Sequence, residues 1–437
     1  MRIRSKFTAS ATLGAVAVLT AGCLSEGGGG GGGGSSNTSD TIEVMYAFAG
    51  GQEEGFQAEV DAWAEENGYQ VEYSQTGNFN QLINTRVQGN DAPDVALFPQ
   101  PGIMVDMAER DLLADLSDIV DASELEQHVQ GVLETGQVDG TQYAVPMSIN
   151  VKSIVFYPKQ AAEAAGLTTP PATFDELVAL TEGIAATGTT PWCFGIESEA
   201  ATGWPATDWV ENLILIQQGA DFYNEWVRHE VPFNAPEVQQ ALETMDTLLL
   251  ADGRTNGGRQ SIASNNFGTA AFPLFDEPPG CYMYRQGNFV AQEGVLPDEV
   301  IADIDNVVGV FPMPGESAED KPVLGGGDLA GIFAQDNEAA QELVKFLASS
   351  EFGTTEYGAS GNWISPRTDF DVELYPTEIW KQIAQIAYES TDFVFDGSDQ
   401  MPGEVGSGSF WREMTAWISG GQEIEATLDN IEGSWPS

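Results

Sequence analysis

Three short stretches set tryptophan beside polar side chains in Gly- and Pro-rich turns: Gly203-Trp204-Pro205-Ala206-Thr207-Asp208-Trp209, Gly361-Asn362-Trp363-Ile364-Ser365-Pro366-Arg367 and Gly408-Ser409-Phe410-Trp411. A sugar offers flat C–H faces and a rim of hydroxyls. Holding one takes aromatic platforms flanked by carboxylate, amide and guanidinium groups. A single tryptophan is more often core packing; three in turns, each with polar neighbours, point to a binding surface.

Covalent chemistry has less to work with. The chain lacks a G-x-S-x-G elbow, an H-E-x-x-H helix, a G-x-x-x-x-G-K-[ST] loop and a G-x-G-x-x-G after a strand. Its two histidines, His128 and His229, are far apart in sequence and are expected at the surface. No metal and no cofactor is implied. Carboxylates are abundant, so paired acids for glycoside hydrolysis on a cell surface stand as the alternative reading.

Such loops need strands and helices to aim them. Ile42, Val44, Tyr46 and Phe48 alternate from Thr41 as in a strand, and Phe56, Val60 and Trp63 follow at helical spacing up to a capping Gly68. Val71 to Tyr73 predicts a second strand, Asn80 to Val87 a second helix and Asp94 to Phe98 a third strand. This is βαβαβ, the pattern of a parallel sheet flanked by helices. Further on, a strand is expected over Val151–Tyr157, a helix behind the capping box Thr173–Glu176, and a strand over Val307–Phe311. Helices are expected after Asn337 and from Glu378 to Tyr388.

The 437 residues carry 67 acidic and 16 basic side chains, a formal charge of -51. Phosphate recognition needs the opposite sign, so nucleic acid is excluded as a partner. The acids are dispersed in short pairs, as on a solvated surface, which suits a saline or alkaline habitat or simply an acidic secreted protein.

At the N-terminus, Arg2, Arg4 and Lys6 precede an apolar stretch from Phe7 to Leu19, too short to span a bilayer. It ends in Leu19-Thr20-Ala21-Gly22-Cys23, which resembles a bacterial lipoprotein signal with Cys23 as the lipidated residue. Residues 1–22 then form the signal peptide. Unbroken glycine from Gly27 to Gly34 makes 23–40 a flexible tether. About 400 residues remain, enough for two lobes. Of the remaining cysteines, Cys193 and Cys281 are expected to pair, two free buried thiols being the alternative.

The order Asp91-Ala92-Pro93-Asp94-Val95, Phe98-Pro99-Gln100-Pro101-Gly102 and Tyr143-Ala144-Val145-Pro146 resembles the solute-binding proteins of ABC sugar importers, the maltose-binding-protein-like family 1. Thr190-Pro191-Trp192-Cys193, Ala201 to Trp209, and Phe395-Asp396-Gly397-Ser398-Asp399-Gln400-Met401-Pro402-Gly403 resemble its alpha-glucoside-binding branch. The resemblance implies an α/β fold of two lobes closing like a clamshell on an interlobe cleft. Lobe 1 would take 41–147 plus 310–362, and lobe 2 would take 148–309 plus 363–437. It further implies an extracytoplasmic, lipid-anchored monomer that is no enzyme and passes an alpha-glucoside to ABC permease subunits. The ligand-binding residues it implies are Gln100, Asn150, Trp204 and Trp411; Asp208, Asp328 and Arg367 are the polar candidates beside them, and Trp363 is the candidate from the second aromatic turn. Ala47-Phe48-Ala49-Gly50-Gly51-Gln52 lacks the charged pair of maltose-binding protein, which argues against maltose itself.

Overall fold

The computed structural model describes residues 40–436 apart from 49, 50, 168, 293, 294 and 361. Cys23, the signal 1–22 and the tether up to residue 39 lie outside the described residues, as does Gly361.

The expected βαβαβ unit is present. Strands β1 (Thr41–Tyr46), β2 (Gln70–Gln75) and β3 (Val95–Phe98) alternate with helices α1 (Gly51–Asn67) and α2 (Phe79–Gln88), and β1 pairs in parallel with both β2 and β3. Val95 and Leu97 face one apolar cluster while Ala96 and Phe98 face another. Burial on both faces is why these parallel strands read as near-continuous apolar runs. Helix α3 (Pro101–Glu109) leaves β3 at once, with Gln100 at its N-cap and Pro101 in its first turn.

The later elements are β4 (Ala144–Pro146), β5 (Asn150–Val151), β6 (Ile154–Pro158), α4 (Phe174–Ala186), α5 (Trp204–Val227), β7 (Tyr284–Gln286), β8 (Val308–Pro312), β9 (Pro322–Gly326), β10 (Leu329–Ile332), α6 (Glu338–Ala348), α7 (Glu378–Tyr388), β11 (Asp392–Phe395) and α8 (Trp411–Ile418). The sheet orders are β2-β1-β3-β10-β4, β8-β6-β7 and β11-β9-β5. Thr173 caps α4 by accepting from the Glu176 N–H, and Asn337 caps α6 through Ala339 and Ala340.

One expectation is corrected. The single strand over Val151–Tyr157 divides at Lys152–Ser153, because the Lys152 N–H donates to the Leu324 carbonyl and Ser153 Oγ accepts from the Leu324 N–H. One half therefore stays on β9 while the other joins β8 and β7. Later in the chain β8 and β9 belong to the smaller sheets, whereas β10 joins the five-stranded sheet and α6 packs on it. The chain changes sheet at Gly327–Asp328, past the segment where β8 pairs with β6.

Three segments run side by side at that passage. The Met147 N–H donates to the Asp328 carbonyl at 2.9 Å, the Ile149 N–H to the Ile364 carbonyl at 3.0 Å, and Trp363 Nε1 to the Met147 carbonyl at 2.8 Å. Cys193 and Cys281 form the disulfide, with Cα atoms 5.5 Å apart and a sequence separation of 88, in place of two free thiols.

Candidate ligand-binding site

Helix α5 begins at a close contact. Gly203 has φ 118°, and a Cβ there would lie 2.4 Å from the Trp411 carbonyl oxygen that starts α8. Glycine alone satisfies both the torsion and the approach. Gly203→Ala is expected to destabilise the protein by about 1–3 kcal/mol and to separate the starts of the two helices, read as a lowered urea midpoint at unchanged slope.

Trp204 and Asp208 lie one turn apart on α5 and share a face. The Trp204 ring is half-buried, edge-on to Phe267 at 5.0 Å and to Phe289 at 6.0 Å, and Lys152 Nζ stands 5.4 Å from its centroid. The Lys152 ammonium donates to Asp208 Oδ1 at 3.3 Å and to Asp396 Oδ2. Behind them Arg285 Nη1 lies 3.6 Å from Asp208 Oδ2, and Arg285 donates to Asn212 Oδ1. One turn beyond Asp208, Glu211 accepts from the N–H groups of Gly397 and Ser398 and contacts the Tyr223 hydroxyl.

The loop after β11 carries the facing carboxylates. Asp396 Oδ1 accepts from Ser398 Oγ at 2.7 Å and from the Asp399 N–H at 3.1 Å. Gln100, at the end of the five-stranded sheet, donates from Nε2 to Asp399 Oδ1 at 2.8 Å and accepts from Asn80. This hydrogen bond joins residues 299 apart in sequence and the ends of two different sheets.

Charge is distributed unevenly among these carboxyls. Burial pushes Asp208 up to about 7 against the pull of Lys152. Burial, then Asp396 and Asp208, raise Glu211, and burial with Asp396 raises Asp399 to about 6. At Asp396 burial works in the same upward direction, but Lys152 and the Ser398 hydroxyl outweigh it and hold the carboxyl at about 2. Lys152 is desolvated yet kept well above its ordinary value by Asp208, Asp396 and Asp399.

The structure brings together Gln100, Trp204 and Asp208, with Trp411 adjoining Gly203. The Trp411 indole N–H is buried without a hydrogen-bond partner. Asn150 sits in β5 opposite Gly326, two residues before Lys152.

Three expected residues lie outside this group. Trp363 is buried among Tyr357, Phe352 and Phe370 with its N–H spent on Met147, so it is core. Arg367 is buried and saturated by Glu124, Asp369 and the Ala348 carbonyl. Asp328 exchanges hydrogen bonds with Ser148 in the passage between sheets. His128 is buried, with Nδ1 on the carbonyls of Glu124 and Leu125, and His229 is stacked on Trp435 at 4.1 Å. Among the described residues no group of three metal-ligating side chains converges.

Sequence reading passed over Lys152, Glu211, Arg285, Asp396 and Asp399. Asp396 and Asp399 lie inside the motif Phe395 to Gly403, and Lys152, one of only 16 basic residues, stands two residues after Asn150.

The profile of the bacterial extracellular solute-binding proteins matches residues 49–353. The osmoprotective compounds-binding protein GgtB of Synechocystis is 37% identical over 90% of this chain and 92% of its own. The alpha-glucosides-binding periplasmic protein AglE of Rhizobium meliloti is 35% identical over 91% of this chain and 87% of its own. Among solved structures, the solute receptor AcbH, described as preferring galactopyranose, superposes with TM-score 0.74 at 17% identity over 90% of this chain and 98% of its own. RafE in complex with raffinose gives TM-score 0.65 at 19% identity, covering 90% and 98%. The fold is thus the expected two-lobed binding-protein architecture, and the matching family and relatives are solute-binding proteins and not glycoside hydrolases, against the alternative reading. The chain belongs to the bacterial extracellular solute-binding proteins.

Proposed function

We propose that this protein is the sugar-binding component of an ABC importer, that it captures an alpha-glucoside of two or a few residues, and that it hands it to permease subunits. The observation that carries the reading is the meeting of the half-buried Trp204 ring with the Lys152–Asp208–Asp396 group, which Gln100 reaches through Asp399. Aromatic faces and a ring of charged and amide partners suit a hydroxyl-rimmed ligand. The likeness to AglE supports the alpha-glucoside class.

Two lobes hinged at Met147–Asn150, Gly327–Asp328 and Trp363–Ile364 would close on the ligand, which favours the closed form because only there do both lobes touch it. Lipidation at Cys23, with a glycine tether, would hold a monomer close to its permease on the outer face of the membrane. Among the described residues no helix is long and apolar enough to cross a membrane.

Isothermal titration with maltose, trehalose, sucrose and related glucosides tests the ligand class. GgtB's name favours a second reading, an osmoprotective solute. Glycine betaine, a zwitterion carrying a quaternary ammonium that an aromatic face attracts, belongs in the same series. Heat with a glucoside supports the first reading; heat with betaine alone overturns it. Trp411→Ala is expected to lose about 1–3 kcal/mol of sugar binding with the melting curve preserved.

A further inference from the structure

We propose that Lys152 is a specificity-determining residue, held as a hydrogen-bond donor to one hydroxyl of the sugar that lies against Trp204. The inference rests on the sugar-binding reading above and names one residue that selects within it.

The geometry separates Lys152 from the other charges. Asp208, Asp396 and Arg285 have side chains 0%, 2% and 1% exposed, whereas Lys152 keeps 16%. Of these four it is the one that reaches solvent. An ammonium carries three donors, and among the described residues its acceptors are two, Asp208 Oδ1 and Asp396 Oδ2. One N–H remains for a further acceptor.

Position gives that donor a target. The ammonium lies over the Trp204 ring, 5.4 Å from its centroid, so a sugar resting against the indole comes within reach of it. Trp204 is itself fixed by Phe267 and Phe289, and the two carboxylates fix the ammonium, so the spacing between platform and donor is set before any ligand arrives. A donor preorganised in this way loses little on binding and rejects an analogue lacking the matching hydroxyl, because the N–H is then left without a partner. A flexible surface lysine would discriminate far less.

Buried ion groups are often replaceable by apolar residues with no loss of stability, and perturbed titratable groups gather at functional sites. Asp208 and Asp396 act as positioning residues through Lys152.

The test compares the sugar bound most tightly with its monodeoxy analogues, by calorimetry, for the wild type and for Lys152→Gln, with melting curves for both. The wild type is expected to lose at least 10-fold in affinity for one deoxy analogue. Lys152→Gln should bind the parent at least 10-fold more weakly and that analogue about as well as the wild type does, so the discrimination collapses. If Lys152→Gln keeps the wild-type ratio for every analogue, or weakens all of them equally, the inference is overturned while the functional reading stands. If the wild type binds no glucoside, the functional reading itself fails. Should Lys152→Gln not fold, Lys152→Arg keeps the charge between the carboxylates, and an unchanged ratio in that variant would equally count against the assignment.

Discussion

Asp396→Ala is expected to lower the stability of the folded protein by about 3–5 kcal/mol. The side chain is buried, takes the Lys152 ammonium on one oxygen, and caps the turn at residues 397–400 with the other. Its loss leaves Lys152 desolvated with Asp208 as its one remaining carboxylate and frees the Ser398 hydroxyl and the Asp399 N–H. Urea unfolding followed by tryptophan fluorescence measures the effect; a change below about 1 kcal/mol would show that the cluster is not fixed by this residue. Asp396→Asn, which can still accept at the cap, should cost less.

The same residue gives a pH signature of known sign. Folded Asp396 titrates at about 2, below its ordinary value of 3.8, so between those values the unfolded chain binds the extra proton. Its contribution is fully present above the unfolded value and is lost as pH falls through about 2. Asp208 has the opposite sign: raised to about 7, it contributes stability at low pH that is lost as pH rises through that value. The wild type should therefore lose stability faster than Asp396→Asn on the acid side of about pH 4, measured as urea midpoints across that range.

The second large effect is expected at the disulfide. Replacing Cys193 and Cys281 together by serine should cost about 4 kcal/mol, because the bridge closes a loop spanning 88 residues and restricts the unfolded chain. The native contacts change little: both sulfurs are buried, and Cys193 also donates its N–H to the Met283 carbonyl. The loss should appear as a lower melting temperature for the double variant, matched by the wild type under strong reductant. A variant melting with the oxidised wild type would mean that the loop is already constrained in the unfolded state.

The N-terminal unit was legible because each cue there is local. The alternation of Ile42, Val44 and Tyr46, the spacing of Phe56, Val60 and Trp63, and the Thr173 and Asn337 caps act within a turn or a strand. The division of Val151–Tyr157 was not legible, since nothing within that run marks Lys152–Ser153. It is Leu324, about 170 residues away, that takes up their hydrogen bonds. The change of sheet at Gly327–Asp328 is equally non-local.

The site divides in the same way. Trp204 and Asp208 could be paired from sequence because four residues make one helical turn. Trp363 sits in a turn of the same composition and is core, because Tyr357 and Phe370 happen to enclose it. Arg367 looked like a ligand partner until Glu124 and Asp369 took its guanidinium.

Sequence alone thus determined the acidic surface, the α/β order of elements and the family motifs, since these depend on residue type and near neighbours. Only the tertiary structure decided which turns converge. Lys152, Asp208 and Asp396 meet across separations of 56 and 244 residues, and Gln100 reaches Asp399 across 299. A charge's role depends on what burial leaves beside it: next to the buried Asp208, Asp396 and Arg285, Lys152 keeps part of its side chain exposed.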